Sequence, residues 1–477
     1  MTVLDLGYTV LADAGDPTQL LVAREQMAFT LGFHIILVPF GLAFTTLMLL
    51  AHYRGVRHRD TAALLLARRW SKVAAVLFAV GAISGTVLQF EMGILWPGLM
   101  QRYGPAFGFP FAIEGLFFFL EAIFVSIYIY GWDRLGTRLH FASGVVVSVS
   151  SIGGAAAVVA ANGWMNQPGG MTIVDGKVVD IDPARVFFNG AFWLEFLHML
   201  IAAYIVAGFV VAGVYAMGML RGRRSHYHRL GFLIGFLTAG FSLPLQVIVG
   251  DMIARQVFTD EPAKFAAIEL LPRTGSHVPE TLGGVLVDGT VDYGVPVPDV
   301  GSLLAGFKSS TVIKGLDAVP ADVRPPDRLV NIVHLAFDTM VGTTVVLSAA
   351  VVWFAWIWWR QRDGLTTNRW FLRAASLCGV ISVLSLESGW VVTEVGRQPW
   401  TVVGLLLTRD AVTRHGNLWP MFIAVIIIYA GVGIAALLVL RSMRRRWEQH
   451  GDEEISVPYG PKEPGLKGSE QTEGMVH

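Results

Sequence analysis

Four side chains able to ligate a metal, His34, His198, Met340 and Glu387, each lie inside or at the edge of a separate apolar run long enough to cross a membrane. A ligand set placed in lipid points to a buried cofactor, because polar groups there are costly and tend to be functional. Each also has a bland reading. His34, in GFHIILVPFGLAF, is followed by the helix-kinking Pro39 and could bond a neighbouring carbonyl; His198, in FWLEFLHMLIAAY, faces the same choice. Met340, in HLAFDTMVGTT, is by default core filler, and spacing alone does not pair it with His198. Glu114 and Glu121 are seven apart, so two helical turns place them on one face with ~10.5 Å of rise between them. Two carboxylates stacked in lipid suggest a proton path; the alternative is a pair of neutral acids bonding across helices. Glu387 and Glu394 repeat the spacing before Gly396-Arg397-Gln398-Pro399-Trp400, as ligand, relay or counter-charge to an arginine.

The elements that must position these residues follow from composition. Hydrophobic residues make up 54% of the chain and charged residues 15%, against roughly a quarter charged in soluble domains, so the fold class is an all-α integral membrane protein. The balance of 36 basic and 36 acidic residues gives no reason to expect nucleic acid. The single Cys378 lies in an apolar run, which excludes a disulfide framework, a CxxC pair and a CxxCH haem attachment. The first ~25 residues, with Asp5, Asp13 and Asp16, lack the order of a cleavable signal peptide, so the first membrane helix is expected to serve for insertion.

Apolar runs at about 27–51, 73–95, 108–131, 140–162, 192–219, 229–250, 329–358, 370–393 and 418–440 predict nine transmembrane helices. Arginines gather after the first, third, fifth, seventh and ninth runs, including Arg54, Arg134, Arg221, Arg360 and Arg441. The positive-inside rule then puts the C-terminus in the cytoplasm and the N-terminus outside. The expected organisation is helices 1–6 over residues 1–250, a long extracytoplasmic loop over 251–328, helices 7–9 over 329–440, and a polar tail over 441–477, expected to be disordered beyond Trp447.

Together these residues carry a resemblance. The segments His34–Gly41, Ile113–Glu121 with Gly131-Trp132-Asp133-Arg134, Gln246-x-x-x-Gly250-Asp251, Lys264-x-Ala266-Ala267-Ile268-Glu269, Phe337-x-x-Met340-x-Gly342, and Glu387-x-Gly389-Trp390 through Gly396-Arg397-Gln398-Pro399-Trp400 resemble subunit I of the cytochrome bd quinol oxidases in order and spacing, to about residue 440. The resemblance implies that His198 and Met340 are the axial ligands of a low-spin haem b. It also implies that His34 and Glu387 hold a high-spin haem b and a haem d in a di-haem centre, without assigning which holds which. Trp390 is expected among the cofactor contacts, and Lys264 and Glu269 at a quinol site on the outer loop. Five residues apart, those two would lie about 140° apart on a helix, so a loop or distorted helix is needed for both to face one ring. Glu114 and Glu121 become relay positions, and Arg397 a partner for a haem propionate or a carboxylate.

The implied activity is oxidation of membrane quinol, ubiquinol or menaquinol, with reduction of dioxygen to water, generating a proton-motive force from the sidedness of the chemistry without a pump. The implied partners are a subunit II, small single-helix subunits in some members, quinol, dioxygen and membrane lipid, in the bacterial cytoplasmic membrane. Many relatives carry Arg two residues before the ligand Met where this chain has Asp338, and the outer loop is of the short kind. Rival readings are a bd-type oxidase with only b haems, a b-type cytochrome that does not reduce dioxygen, and a proton-coupled transporter, which would call for internal repeats that the chain lacks.

Overall fold

The computed structural model describes residues 19–450 apart from 176, 362–363, 366 and 415–416. The expected N-terminal lead and the tail beyond residue 450 lie outside the described residues. The chain is mostly helical, and among the described residues nine helical spans are long and apolar enough to cross a membrane. They are α1 (Leu20–Leu42) running on into α2 (Phe44–His58), α3 (Thr61–Leu95), α4 (Pro97–Gly131), α5 (Thr137–Asn166), α7 (Phe192–Leu220), α8 (His226–Asp260), α11 (Asp327–Arg360), α12 (Arg369–Gly396) and α14 (Trp419–His450); the connections hold short elements, among them the paired strands β1 (Thr172–Val174) and β2 (Lys177–Val179) and the helices α6 (Pro183–Phe187), α10 (Val300–Gly306) and α13 (Thr408–Ala411). The predicted runs fall inside these spans to within one residue, but most helices continue beyond them. Thirty helical residues rise about 45 Å, more than the ~30 Å of hydrocarbon, so polar stretches such as Asp251–Asp260 stay helical beyond it. The long loop therefore begins near Glu261 rather than at residue 251.

Local chemistry sets the ends and bends. Pro39 has no N–H to donate, and its carbonyl takes the Ala43 N–H at 2.9 Å where α1 breaks and α2 begins. Asp60 caps α3 through the Ala63 N–H at 3.2 Å and also accepts from Arg54 and His226, tying three helix ends together. Asn368 caps α12 through the N–H groups of Trp370 and Phe371. Small residues then let backbones close, as expected in lipid. A Cβ on Gly208 of α7 would meet the Gly235 carbonyl of α8 at 2.6 Å, and one on Gly379 of α12 would meet Val210 Cα of α7 at 2.9 Å. Phe232, Phe236, Phe354 and Phe371 fill the space between α8, α11 and α12.

The segment between α8 and α11 is folded. It opens with the short helix α9 (Pro262–Ile268) and then a hairpin in two registers, β3 (Glu280–Leu282) with β6 (Val295–Val297) and β4 (Val285–Val287) with β5 (Thr290–Asp292). Gly283 and Gly284, with φ of 63° and 97°, make the bend between the registers that a residue with a Cβ would resist. One stripe of α11 holds this hairpin. The Asn331 side chain both accepts from and donates to the Leu286 backbone, at 2.6 and 2.9 Å. The His334 ring nitrogens reach the Ile268 and Gly283 carbonyls at 2.7 and 2.9 Å, and Asp338 Oδ2 accepts the Gly283 N–H at 2.5 Å. The loop is thus docked on the helix that carries Met340.

Candidate functional site

Each of the four ligand-capable side chains rises from one helix and faces another. His34 Nδ1 on α1 lies 2.8 Å from the Ser84 hydroxyl of α3, and Ser84 donates to the Gly81 carbonyl at 3.0 Å. With its hydrogen committed there, Ser84 accepts from Nδ1–H, which leaves the Nε2 lone pair of His34 for a ligand bond. Glu387 on α12 faces α1, its Oε2 3.5 Å from where a Cβ on Gly32 would stand. Two residues along α12, a Cβ on Gly389 would stand 3.1 Å from Met340 Sδ of α11, and Trp390 follows, half-buried. His198 on α7 lies against Gly250 and Gln246 of α8, its Nε2 3.1 Å from the Gln246 amide. Helix α12 is thus the shared wall, facing α1 at Glu387 and α11 at Gly389.

Two of these groups carry a direct sign of a missing bond. His198 Nδ1 and Glu387 Oε1 are buried with no hydrogen-bond partner among the described residues. Such orphans cost about 1–3 kcal/mol each and call for an explanation, an ion among them. Imidazole and thioether are among the side-chain donors that hold haem iron, and a glycine stands beside each of the four side chains: Gly85 by His34, Gly250 by His198, Gly389 by Met340 and Gly32 by Glu387. The residues present therefore fit non-covalent haem.

The carboxylates separate by partner. Glu121 accepts from the Ser151 hydroxyl of α5 at 2.5 Å, and Glu114 accepts from the Gln89 amide of α3. Glu394 is the counter-charge: Arg397 donates to it at 2.5 Å and Asn162 at 2.6 Å. Arg397 also reaches Asn166, which donates to Glu195 at 2.9 Å.

Lys264 and Glu269 point to different partners. Lys264, 6% exposed on α9, is ion-paired with Glu261 and packs against Gly396, its Cγ 3.0 Å from a Cβ position there. Glu269 ends α9 and turns to the loop, where its carboxyl meets that of Glu280. Sequence reasoning missed Glu195, three residues before His198 and detectable as an acid in an apolar run. It also missed Glu91, which takes the Gln26 amide and the Thr30 hydroxyl at 2.6 Å each, and Glu280, which had no local signal.

The family model for cytochrome bd terminal oxidase subunit I matches residues 22–447. A Bacillus subtilis chain assigned as subunit I of a cytochrome bd menaquinol oxidase is 32% identical over 428 residues, covering 88% of this chain and 95% of the relative. Subunit 1 of a cytochrome bd ubiquinol oxidase from the same organism is 29% identical, covering 93% and 97%. Among solved structures, the bd oxidase from Geobacillus thermodenitrificans superposes with a TM-score of 0.83 at 32% identity, covering 90% of this chain and 98% of that one. With nine apolar spans among its described residues and a match along nearly its whole length, this chain belongs to the cytochrome bd terminal oxidase subunit I family, as a multi-pass protein of the bacterial cytoplasmic membrane.

Proposed function

We propose that this chain is the haem-bearing subunit of a terminal oxidase that oxidises membrane quinol and reduces dioxygen to water. The observation that carries the reading is α12, with Met340 against its Gly389 and the buried Glu387 Oε1 left without a partner among the described residues beside the helix of His34. His198 and Met340 would hold a low-spin haem b, and His34 and Glu387 a high-spin haem b and a haem d. When bound, these groups would carry electrons, and the high-spin pair would offer dioxygen an open iron position. The residues do the rest. Ser84 fixes the His34 ring, and Arg397 with Glu394, Asn162 and Asn166 forms a charged, hydrogen-bonded floor near α7. Glu121 and Glu114, bonded to Ser151 and Gln89, are relay positions for protons.

Quinol would dock at the loop carrying Lys264 and Glu269, where a carboxyl can take its proton. The arginine-rich ends face the cytoplasm and the hairpin loop faces out, so protons released at the loop and protons consumed at the dioxygen site lie on opposite sides. Charge separation follows without a pump. Relatives are named as subunit I or 1 of their oxidases, which supports a complex with a subunit II. The exposed apolar side chains of α4, Leu116, Phe119 and Ile123 among them, offer a face for it or for lipid.

The test is the reduced-minus-oxidised absorption spectrum of the purified complex, repeated with carbon monoxide. A far-red chlorin band that shifts with carbon monoxide supports haem d at a dioxygen-reducing centre. Carbon-monoxide-sensitive b haems alone would point to the b-only oxidase, b haems blind to carbon monoxide to an electron carrier, and a spectrum without haem overturns the reading.

A further inference from the structure

Resting on the quinol-site reading, the outer loop points to a residue beyond Lys264 and Glu269. Glu269 is 8% exposed and lines a cavity of about 240 Å³ with Leu270, Pro272, Pro279, Thr281 and Pro296. That is less than the ~300 Å³ at which sites for whole drug-sized ligands begin, so it suits a single substituted ring with its tail outside. The walls are apolar and the carboxyl of Glu269 supplies a polar end.

Glu280 sits between the lining residues Pro279 and Thr281, with its carboxyl in hydrogen-bonding range of that of Glu269. Among the described residues no donor reaches Oε2 of either group, and both atoms are buried. Two carboxyls can bond each other in a buried site only if one keeps its proton. Burial, and then the facing Glu280 carboxyl, push Glu269 well above the usual carboxylate range, and burial likewise pushes Glu280 up. The other charged or titratable groups facing the pair come from α11: Asp338, whose charge opposes ionisation of both, and His334, which favours ionisation of Glu280. Lys264, on α9 itself, is committed to Glu261. His334 also fixes the geometry. Its two ring nitrogens reach the carbonyl of Ile268, adjacent to Glu269, and that of Gly283, three residues after Glu280.

We propose that Glu280 is the second carboxylate of the quinol site, sharing one proton with Glu269 so that the pair takes up the protons released as quinol is oxidised. Each quinol loses two O–H protons and two electrons. The electrons leave singly along the oxidase's own path to dioxygen. The singly protonated pair binds one quinol proton on its free carboxylate, and the doubly protonated pair returns one to the outer water before the second arrives.

The experiment uses the purified holo-complex and a short-chain soluble quinol, following haem reduction by stopped flow from pH 5.5 to 8.5. Glu280→Gln is expected to keep full haem content, to slow reduction about tenfold at neutral pH, less than the ~10²- to 10⁴-fold of a lone general acid–base group because Glu269 remains, and to flatten the pH profile. Glu280→Asp, which keeps an acid but withdraws it by one methylene, should keep a pH-dependent rate shifted toward lower pH. Wild-type rate and profile in these variants while Glu269→Gln is slow would overturn the proposal and leave the quinol site standing. Wild-type behaviour in Glu269→Gln as well would overturn the site reading, and the proposal with it. Should Glu280→Gln not assemble, Glu280→Asp decides, an unchanged profile counting against the pair.

Discussion

The Ser84 hydroxyl holds His34 by Nδ1 at 2.8 Å while spending its own hydrogen on the Gly81 carbonyl, so the tautomer of His34 is set from outside the site. Partners of this kind orient ligating imidazoles, and their loss typically weakens metal binding about 10–100-fold. Ser84→Ala is therefore expected to lower occupancy of one high-spin haem and leave the low-spin haem intact. Haem-to-protein ratio and the carbon-monoxide difference spectrum would check it; unchanged occupancy of both centres would remove Ser84 from the ligand set.

Gly389 stands against Met340 for a related reason. A Cβ at residue 389 would lie 3.1 Å from the thioether sulfur, closer than ordinary contact, so Gly389→Ala forces Met340 to move. If Met340 is an axial ligand, this substitution should shift the low-spin haem band and its midpoint potential, and Met340→Ala should make that haem bind carbon monoxide. A Gly389→Ala spectrum identical to wild type would argue that Met340 is packing only.

Glu121 and Ser151 are joined at 2.5 Å across α4 and α5. As a proton relay, Glu121→Gln should slow reoxidation of the reduced enzyme by dioxygen about 10²- to 10³-fold, within the range of acid–base contributions. Haem reduction by quinol should be untouched. Ser151→Ala, which leaves the carboxyl in place, should have the same effect to a smaller degree. Flow-flash kinetics distinguish these from a structural role, which would slow both half-reactions.

His34, His198, Met340 and Glu387 were legible in the sequence because a polar or ligand-type side chain in an apolar run stands out against its neighbours. Glu195 had the same signature, yet its partner Asn166 comes from another helix and only the fold joins them. Glu280 was illegible for a different reason. Acids are ordinary in an extramembrane loop, and only the chain's return through β3 brings it against Glu269. Lys264 is a different case: the motif names it together with Glu269, and only the fold shows that it pairs with Glu261, three residues back at the N-cap of α9. Helix boundaries were clipped at the last apolar residue, because hydropathy reports the hydrocarbon layer and not the extent of the backbone ladder.

Asp338 is a loop anchor. Its Oδ2 accepts the Gly283 N–H and lies 3.6 Å from His334 Nε2. Asp338→Arg removes the acceptor and should cost the docked hairpin about 1–3 kcal/mol, seen as faster hydrogen exchange at Gly283 and Leu286 and a raised KM for quinol. Asp338→Asn keeps an acceptor and should stay near wild type. Equal exchange in wild type and Asp338→Arg would show that Asn331 and His334 hold the hairpin unaided.

Glu269 also sets the direction of a pH effect on stability. Burial, then Glu280, raise its folded-state pKa, so the folded loop favours the protonated acid. Below the ordinary carboxylate value of about 4.3, both folded and unfolded chains carry the proton and pH has no leverage through this group. Above it the unfolded chain ionises while the folded one keeps its proton, so unfolding releases a proton and stability falls as pH rises, until the raised folded pKa is passed. Glu269→Gln removes the group and should gain thermal stability relative to wild type as pH is raised from 5 to 8, with the difference smallest at the acid end. Thermal unfolding of the purified complex at several pH values measures this. A difference that shrinks toward pH 8 would mean that Glu269 is ionised and paired in the folded protein, and would remove the shared proton on which its pairing with Glu280 depends.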